Sequence, residues 1–232
     1  MKKTKEDEID LRKIKRKVLF FSLICLIVIG AALFLPAGSL DYWQAWAFMG
    51  TLFIPFAFVV SYFLKRDPRF LQRRMQFKEK QVSERGIMRV ALLLFIAGFI
   101  FPGLDHRYGW SSVSTAVVIV SDAIIFLSYM LVFRVFKENS YASRIVEVEK
   151  GQKVVTTGPY SVVRHPMYAG VIPMYLAVPV ALASYWALLF FVPVVFVIIF
   201  RIFDEERLLL RELKGYKEYT KKVKYRLLPG VW

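Results

Sequence analysis

The chain has 232 residues, of which 57% are hydrophobic and 16% aromatic, and its mean hydropathy is +0.47. This composition is too apolar for a water-soluble domain and predicts a polytopic membrane protein, and a single cysteine with two histidines argues against an intrachain disulfide and a Cys/His metal site. The formal charge of +15 could indicate nucleic-acid binding, but in a membrane chain the positions of Lys and Arg are more informative than their sum.

Six runs of mostly apolar residues follow in chain order, each close to the length that a helix needs to cross a bilayer. They are residues 18–35, 43–64, 87–104, 113–136, 167–183 and 186–203. The bilayer core offers backbone groups no partner outside the helix, so the sequence predicts an all-α bundle of five or six transmembrane helices. The last two runs share a short turn and contain Pro173, Pro179 and Pro193, so one or both are expected to cross only in part. The first run lacks a small-residue cleavage site after its charged leader, so it is expected to be retained.

The positive charges lie almost entirely on one side of this arrangement. Of the 33 Lys and Arg residues, 32 fall in residues 1–17, 65–89, 134–165 and 201–232, and only Arg107 falls on the other side. Cytoplasmic loops carry an excess of Lys and Arg. The sequence therefore predicts a multi-pass membrane protein with both termini and the two long connections in the cytoplasm.

One of these connections contains the segment TTGPYSVVRHPMYAG, residues 156–170. The connection is longer than ordinary loops, and such loops are functional or disordered. We expect this one to be ordered, with a turn at Gly158-Pro159 and a helix that starts at Pro166. The Arg-His-Pro sequence has two interpretations: it is a polar site, or it only starts the helix and lets Arg164 reach the membrane surface.

A second polar group, RIFDEERLLLREL, follows the last apolar run. Arg201 and Glu205 are four residues apart, so on a continuous helix they share one face and can interact. Asp204, Glu205 and Glu206 are three successive acids at an edge otherwise rich in Lys and Arg. They form either a candidate cation-binding site or the solvated end of a transmembrane helix.

Two further features need an explanation. Asp122 lies within an apolar run, so it is expected to face the bundle interior and to have a partner there, as a structural or a catalytic group. Near the C-terminus, Leu213, Tyr216, Tyr219 and Val223 form one stripe of a predicted amphipathic helix. We expect this helix to lie on an anionic membrane surface and also to cover the loop before Pro166.

The two polar segments, in this order around an apolar hairpin, resemble the isoprenylcysteine carboxyl methyltransferases and the related phospholipid methyltransferases. The resemblance covers about residues 145–230 and implies an integral membrane enzyme that uses S-adenosylmethionine without a Rossmann domain. It implies one domain over residues 1–232, with an N-terminal four-helix part (1–136) and a cofactor-binding catalytic part (137–232). It makes Arg201 the catalytic, substrate-positioning residue. Carried over by position, the cofactor-binding residues are Gln152, Lys153, Val154, Val155, Tyr160, His165, Pro166, Met167, Tyr168 and Glu205.

The expected activity is methyl transfer from S-adenosylmethionine to a membrane-embedded lipid or lipidated small molecule or protein, with no metal and no nucleic acid involved. A carboxylate acceptor is favoured, because it needs no base and only a cation such as Arg201 to hold it. A phospholipid amine or a thiol is the alternative acceptor. A non-enzymatic transporter or scaffold is the alternative class. Transport would predict ionisable residues near the membrane midplane on several helices, and only Asp122 stands out in this way.

Overall fold

The computed structural model of the protein describes residues 11–74, 82–141, 148 and 151–232. Within these ranges the chain forms eight α-helices, one short 3-10 helix at Gly158–Ser161 and no β-strand. The helices are α1 (Leu11–Ala37), α2 (Trp43–Arg66), α3 (Pro68–Arg74), α4 (Val82–Tyr108), α5 (Thr115–Glu138), α6 (Pro166–Ala181), α7 (Leu188–Glu212) and α8 (Tyr216–Lys222). The prediction of an all-α membrane bundle is confirmed.

Four helical segments of the described chain are long and apolar enough to cross a membrane: α1, α2, Arg89–Tyr108 of α4, and α5. The last two apolar runs are not among these spans, which agrees with the expectation that one or both of them cross only in part. Helix α6 has 16 residues, which at about 1.5 Å per residue is shorter than the hydrocarbon core. Helix α7 is longer, but Arg201 and the acids after it interrupt its apolar part. The last two runs therefore form a hairpin that is anchored on the four spans.

The α6–α7 hairpin packs against the spans on both of its arms. Helix α5 makes its most extensive contact with α6, and α4 packs against α7 and α1. At Gly170 of α6 a Cβ atom would lie 3.0 Å from Val132 Cγ2 and 3.1 Å from the Ser128 carbonyl oxygen of α5. A larger residue would push these helices apart. The centre of the core contains Leu33, Phe48, Ile125, Leu182 and Phe191.

A buried carboxylate holds the turn of the hairpin at the end of the bundle where α4 ends and α5 begins. Asp105 is 1% exposed, and it accepts hydrogen bonds from the backbone N–H and the hydroxyl of Ser111, both at 2.7 Å. It also accepts one from the Ser184 hydroxyl in the turn. Beside it, the Tyr42 hydroxyl donates to the Leu182 carbonyl oxygen. These bonds fix the turn between α6 and α7 relative to α4 and the start of α2.

The polar partner expected for Asp122 is Thr51 on α2. Its side chain lies within hydrogen-bonding reach of the Asp122 carboxyl group. The second carboxyl oxygen, Oδ1, is buried and has no hydrogen-bond partner among the described residues. Asp122 therefore connects α5 to α2 inside the bundle. It does not belong to either of the two polar segments that suggested a site.

Candidate functional site

The turn predicted at Gly158-Pro159 begins the ordered part of the connection between α5 and α6. Gly158 has a φ of +56°, and a Cβ atom there would lie 2.7 Å from Glu138 Cγ. Both features require glycine. The Thr157 hydroxyl donates to Glu138 Oε2 at 2.8 Å, which fastens the turn to the end of α5. The prediction of a turn at this position is confirmed.

Helix α6 starts at Pro166, as the sequence predicts, with His165 as its N-cap residue. The backbone just before the helix is held by the C-terminal segment. The Arg164 N–H donates to the Tyr225 carbonyl oxygen and the His165 N–H donates to that of Arg226, both at 2.9 Å. The Arg-His-Pro sequence therefore starts a helix and also belongs to a polar site, because the buried Arg164 side chain pairs with Glu206 instead of reaching the membrane surface.

Glu206 is the centre of a buried ionic group, the Glu206 cluster, which also contains Arg164, His165 and Arg226. Its carboxylate accepts from Arg164 Nε at 2.6 Å and from Arg226 Nε at 2.7 Å, and its Oε1 lies 3.3 Å from His165 Nε2. Burial alone would raise the pKa of Glu206, but these hydrogen bonds outweigh it and lower the pKa to about 2. Glu206 is therefore a fixed anion that joins α7 to the start of α6 and to the C-terminal segment.

The role of Glu206 was missed in the sequence, where it was one of three adjacent acids. A signal was present, because Glu206 continues the four-residue spacing of Ile198 and Ile202, which are both buried on α7. A charged residue in register with a buried stripe has to find partners inside the protein.

The three acids do not form a common cation site, so that prediction was wrong. The Asp204 carboxylate pairs with Arg207 at 3.2 Å on the exposed surface, whereas Glu206 faces its own cluster. Glu205 faces a third direction, where it accepts from the Tyr168 hydroxyl at 2.9 Å. Among the described residues, no group of three or more acids, histidines or cysteines could hold a metal ion.

Arg201 and Glu205 share one face of α7, as their spacing predicts, and the Tyr168 hydroxyl connects them. Arg201 Nε donates to that hydroxyl oxygen at 3.2 Å, while the hydroxyl donates to Glu205. This chain of bonds sets a cation and an anion side by side at the start of the polar half of α7.

These groups open into one cavity, the site pocket, whose empty space is about 860 Å³ including its mouth. All eleven residues predicted for the site line it, which are Gln152, Lys153, Val154, Val155, Tyr160, His165, Pro166, Met167, Tyr168, Arg201 and Glu205. The lining also contains eight residues that were not predicted to be site residues, namely Asn139, Tyr141, Arg164, Leu208, Leu209, Leu213, Tyr216 and Tyr219. Sequence reasoning thus found the lining from α6 and much of the lining from the loop and α7, and missed what α8 and the end of α5 add.

A comparison with known protein families bears on this pocket. The family model described as phospholipid methyltransferase matches residues 116–215. This segment is similar to the integral membrane methyltransferases. It runs from α5 to the residue before α8, so it holds all eleven predicted site residues. No curated protein matches the chain.

The short helix α8 closes the site pocket on the side of the loop. The predicted stripe of Leu213, Tyr216, Tyr219 and Val223 is buried and packs against Val154 and other loop residues. The Tyr219 hydroxyl donates to the Tyr160 carbonyl oxygen at 2.7 Å. The expectation that this helix covers the loop is therefore confirmed, and the stripe faces protein instead of lipid.

Two tyrosine side chains of the pocket differ in how their hydroxyls are bonded. Tyr160 Oη accepts from Asn139 Nδ2 at 2.9 Å, and burial raises the pKa of Tyr160 to about 12. The hydroxyl of Tyr216 is buried and has no hydrogen-bond partner in the described part of the chain. Both phenols are neutral near pH 7, and only one of them is satisfied by the protein.

Proposed function

We propose that the protein transfers a methyl group from S-adenosylmethionine to a lipid or lipid-linked acceptor in the site pocket. The observation that carries this proposal is that all eleven residues implied by the family resemblance, which come from a loop and two helices, line a single pocket. A pocket with a few convergent polar groups in otherwise apolar walls is typical of a cofactor site.

The residues of the pocket fit S-adenosylmethionine, which methyltransferases of this family generally use. When bound, the cofactor supplies a methyl group on a positively charged sulfur atom. Glu205 offers a carboxylate to the cationic part of the molecule, and Tyr160 and Tyr168 offer aromatic faces to it. His165 is 4% exposed, and its ring is oriented by Glu206, so it presents a fixed polar edge to the pocket.

The acceptor that these side chains favour is a carboxylate. Methyl transfer from a sulfonium is an in-line displacement, so the protein mainly has to hold the two reactants close and keep water out. Arg201 can hold a carboxylate, which is already ionised at neutral pH and needs no base. Glu206 is unsuited to be a base, because its hydrogen bonds lower its pKa to about 2.

A phospholipid amine is the second candidate acceptor, and the description of the matching family model favours it. An ammonium headgroup would be attracted by Glu205 and repelled by Arg201, and it must lose a proton before it reacts. The two acceptors therefore depend on different residues of the pocket, and this difference can be measured.

The first experiment measures binding of S-adenosylmethionine to the detergent-purified protein by calorimetry, and then methyl transfer to a matched set of lipids. One lipid carries a free carboxylate on a prenylated cysteine, and the other carries a primary amine on a phospholipid. We expect cofactor binding and faster methylation of the carboxylate. No binding at millimolar cofactor would contradict the proposal, and preference for the amine would replace the first candidate with the second.

We also propose that the pocket faces the cytoplasm, because 32 of the 33 Lys and Arg residues lie on its side of the predicted topology. The only cysteine, Cys25, can be replaced by serine, after which Lys222→Cys and Arg107→Cys serve as single reporters. A membrane-impermeant maleimide added to intact cells should label the Arg107→Cys variant alone. Labelling of the Lys222→Cys variant instead would reverse the orientation.

A further inference from the structure

Tyr216 differs from three other tyrosines of the site pocket in how its hydroxyl is bonded. The hydroxyls of Tyr160, Tyr168 and Tyr219 all have protein partners. The Tyr216 side chain lines the same pocket and is 4% exposed, yet its hydroxyl has no partner among the described residues. Buried hydroxyl groups without a hydrogen bond are rare in native proteins, and each one needs an explanation. A ligand atom in the pocket would supply the missing partner.

The walls around Tyr216 differ from those around Glu205. Tyr216 belongs to an apolar cluster with Leu213, Val154 and Leu209, and the ring of Tyr219 lies 5.6 Å from its own ring. The pocket-lining residues of α7 are charged at first, at Arg201 and Glu205, and apolar further along the helix, at Leu208 and Leu209. Leu213, just beyond the end of α7, is apolar as well. The distance from residue 205 to residue 213 is about 12 Å at 1.5 Å per residue. The pocket thus has a charged part and an apolar part.

The apolar part suits a flat, uncharged group with a few hydrogen-bonding atoms. The side chains that form this part are uncharged, so an ammonium or carboxylate group there would lose its hydration without forming a direct ion pair with them. A heteroaromatic ring can pack between the leucines and Tyr219, and its ring nitrogens or amino group can bond one hydroxyl.

We infer that the part of the pocket formed by Val154, Leu209, Leu213 and Tyr219 is the subsite for the adenine ring of the methyl donor, and that Tyr216 hydrogen-bonds this ring. The inference rests on the proposed function. It directs the cationic part of the donor toward Glu205 and Tyr168. Burial and the nearby Glu206 carboxylate raise the pKa of Tyr216 well above its usual range, so the phenol keeps its proton and can either donate or accept.

The test compares the parent with Tyr216→Phe, which removes only the hydroxyl group. Tyr225→Phe is the matched control, because Tyr225 lies in the same C-terminal segment and is 38% exposed. The probes are S-adenosylmethionine and adenosine, which has the base and ribose but lacks the charged part. We expect Tyr216→Phe to bind both probes about 3- to 10-fold more weakly, as the loss of one neutral hydrogen bond implies, and the control to bind both like the parent.

A second readout is the melting temperature of the ligand-free protein. Because the hydroxyl has no partner in the described part of the chain, Tyr216→Phe should melt at the same or a higher temperature than the parent. A lower melting temperature would mean that the hydroxyl is structural and would overturn the inference. Unchanged affinity for both probes would also overturn it, and weaker binding of S-adenosylmethionine alone would assign Tyr216 to the charged part of the ligand instead of the base.

The two proposals fail in different ways. If the parent binds adenosine but no S-adenosylmethionine, the proposed function is refuted. The affinities of the parent and of Tyr216→Phe for adenosine then still decide whether Tyr216 bonds an adenine ring. If the parent binds S-adenosylmethionine and Tyr216→Phe binds both probes as tightly as the parent does, only the assignment of the subsite is refuted. A parent that binds neither probe refutes both.

Discussion

Glu206→Gln tests whether the Glu206 cluster holds the site together. Glutamine has the shape of glutamate, but its amide group carries no charge and replaces one acceptor oxygen by a donor, which would face the donor of Arg164 or of Arg226. The carboxylate accepts two guanidinium hydrogen bonds at 2.6 and 2.7 Å. Removing one partner of a buried ionic group leaves the other charges uncompensated.

The size of the effect follows from the pKa of Glu206. The decrease from 4.5 to about 2 corresponds to about 3 kcal/mol of stability at neutral pH, at about 1.36 kcal/mol per pH unit. For a protein of this length that is a decrease of about 6–12 °C in melting temperature. Because the pKa is lowered in the folded state, this stability is present above pH 4.5 and is lost as the pH falls toward 2.

The assay is thermal unfolding in detergent between pH 8 and pH 3, with Asp204→Asn as the matched control. Asp204 is the exposed acid of the same helix and pairs with Arg207 on the surface, so its loss should cost little. Glu206→Gln should melt well below the parent at pH 7, and the difference should shrink as the pH falls. A melting temperature equal to that of Asp204→Asn across this range would refute the reasoning.

Three further predictions concern single side chains. Glu205→Gln should leave the melting temperature unchanged and weaken S-adenosylmethionine binding about 10- to 100-fold, because a charged hydrogen bond is lost. An affinity equal to that of the parent, measured by calorimetry, would show that Glu205 does not bind the cofactor. Arg201→Lys keeps the charge but loses the planar fork, so it should bind the cofactor normally and methylate a carboxylate acceptor about 10-fold or more slowly, while Arg207→Lys, an exposed control, should turn over like the parent. Asp122→Asn preserves the size and the bond to Thr51, so activity and melting temperature should be retained; full inactivity in a folded variant would assign Asp122 a role in catalysis.

Features set by neighbouring residues could be predicted from the sequence. The turn at Gly158 depends on the φ of one residue, and the start of α6 at Pro166 depends on the missing N–H of proline. The shared face of Arg201 and Glu205 follows from their four-residue spacing on a continuous helix. The residues carried over from the family resemblance also line one pocket, although their contacts with a cofactor stay a prediction.

Features set by distant residues could not be predicted. Glu206 differs from Asp204 and Glu205 only in its partners, and these lie 42 residues earlier and 20 residues later in the chain. Whether the last two apolar runs cross the membrane depends on where charges interrupt α7 and on how short α6 is. The sequence assigned Tyr216 to an apolar stripe. That its hydroxyl lacks a partner among the described residues depends on where all the neighbouring groups lie, which the sequence does not give.

The pairing of the start of α6 with the C-terminal segment has a consequence for the order in which the site is made. Arg164 and Glu206 leave the ribosome before Arg226, which supplies the third side chain of their cluster. At about 5–20 residues per second, roughly 3–12 s separate the synthesis of Arg164 from that of Arg226. During that interval the spans α1, α2, α4 and α5 are already made. The pocket still lacks α8 and the C-terminal segment that pairs with the backbone of Arg164 and His165. The nascent protein therefore reaches the membrane before its pocket is complete, and completing the pocket requires the segment that contains Arg226.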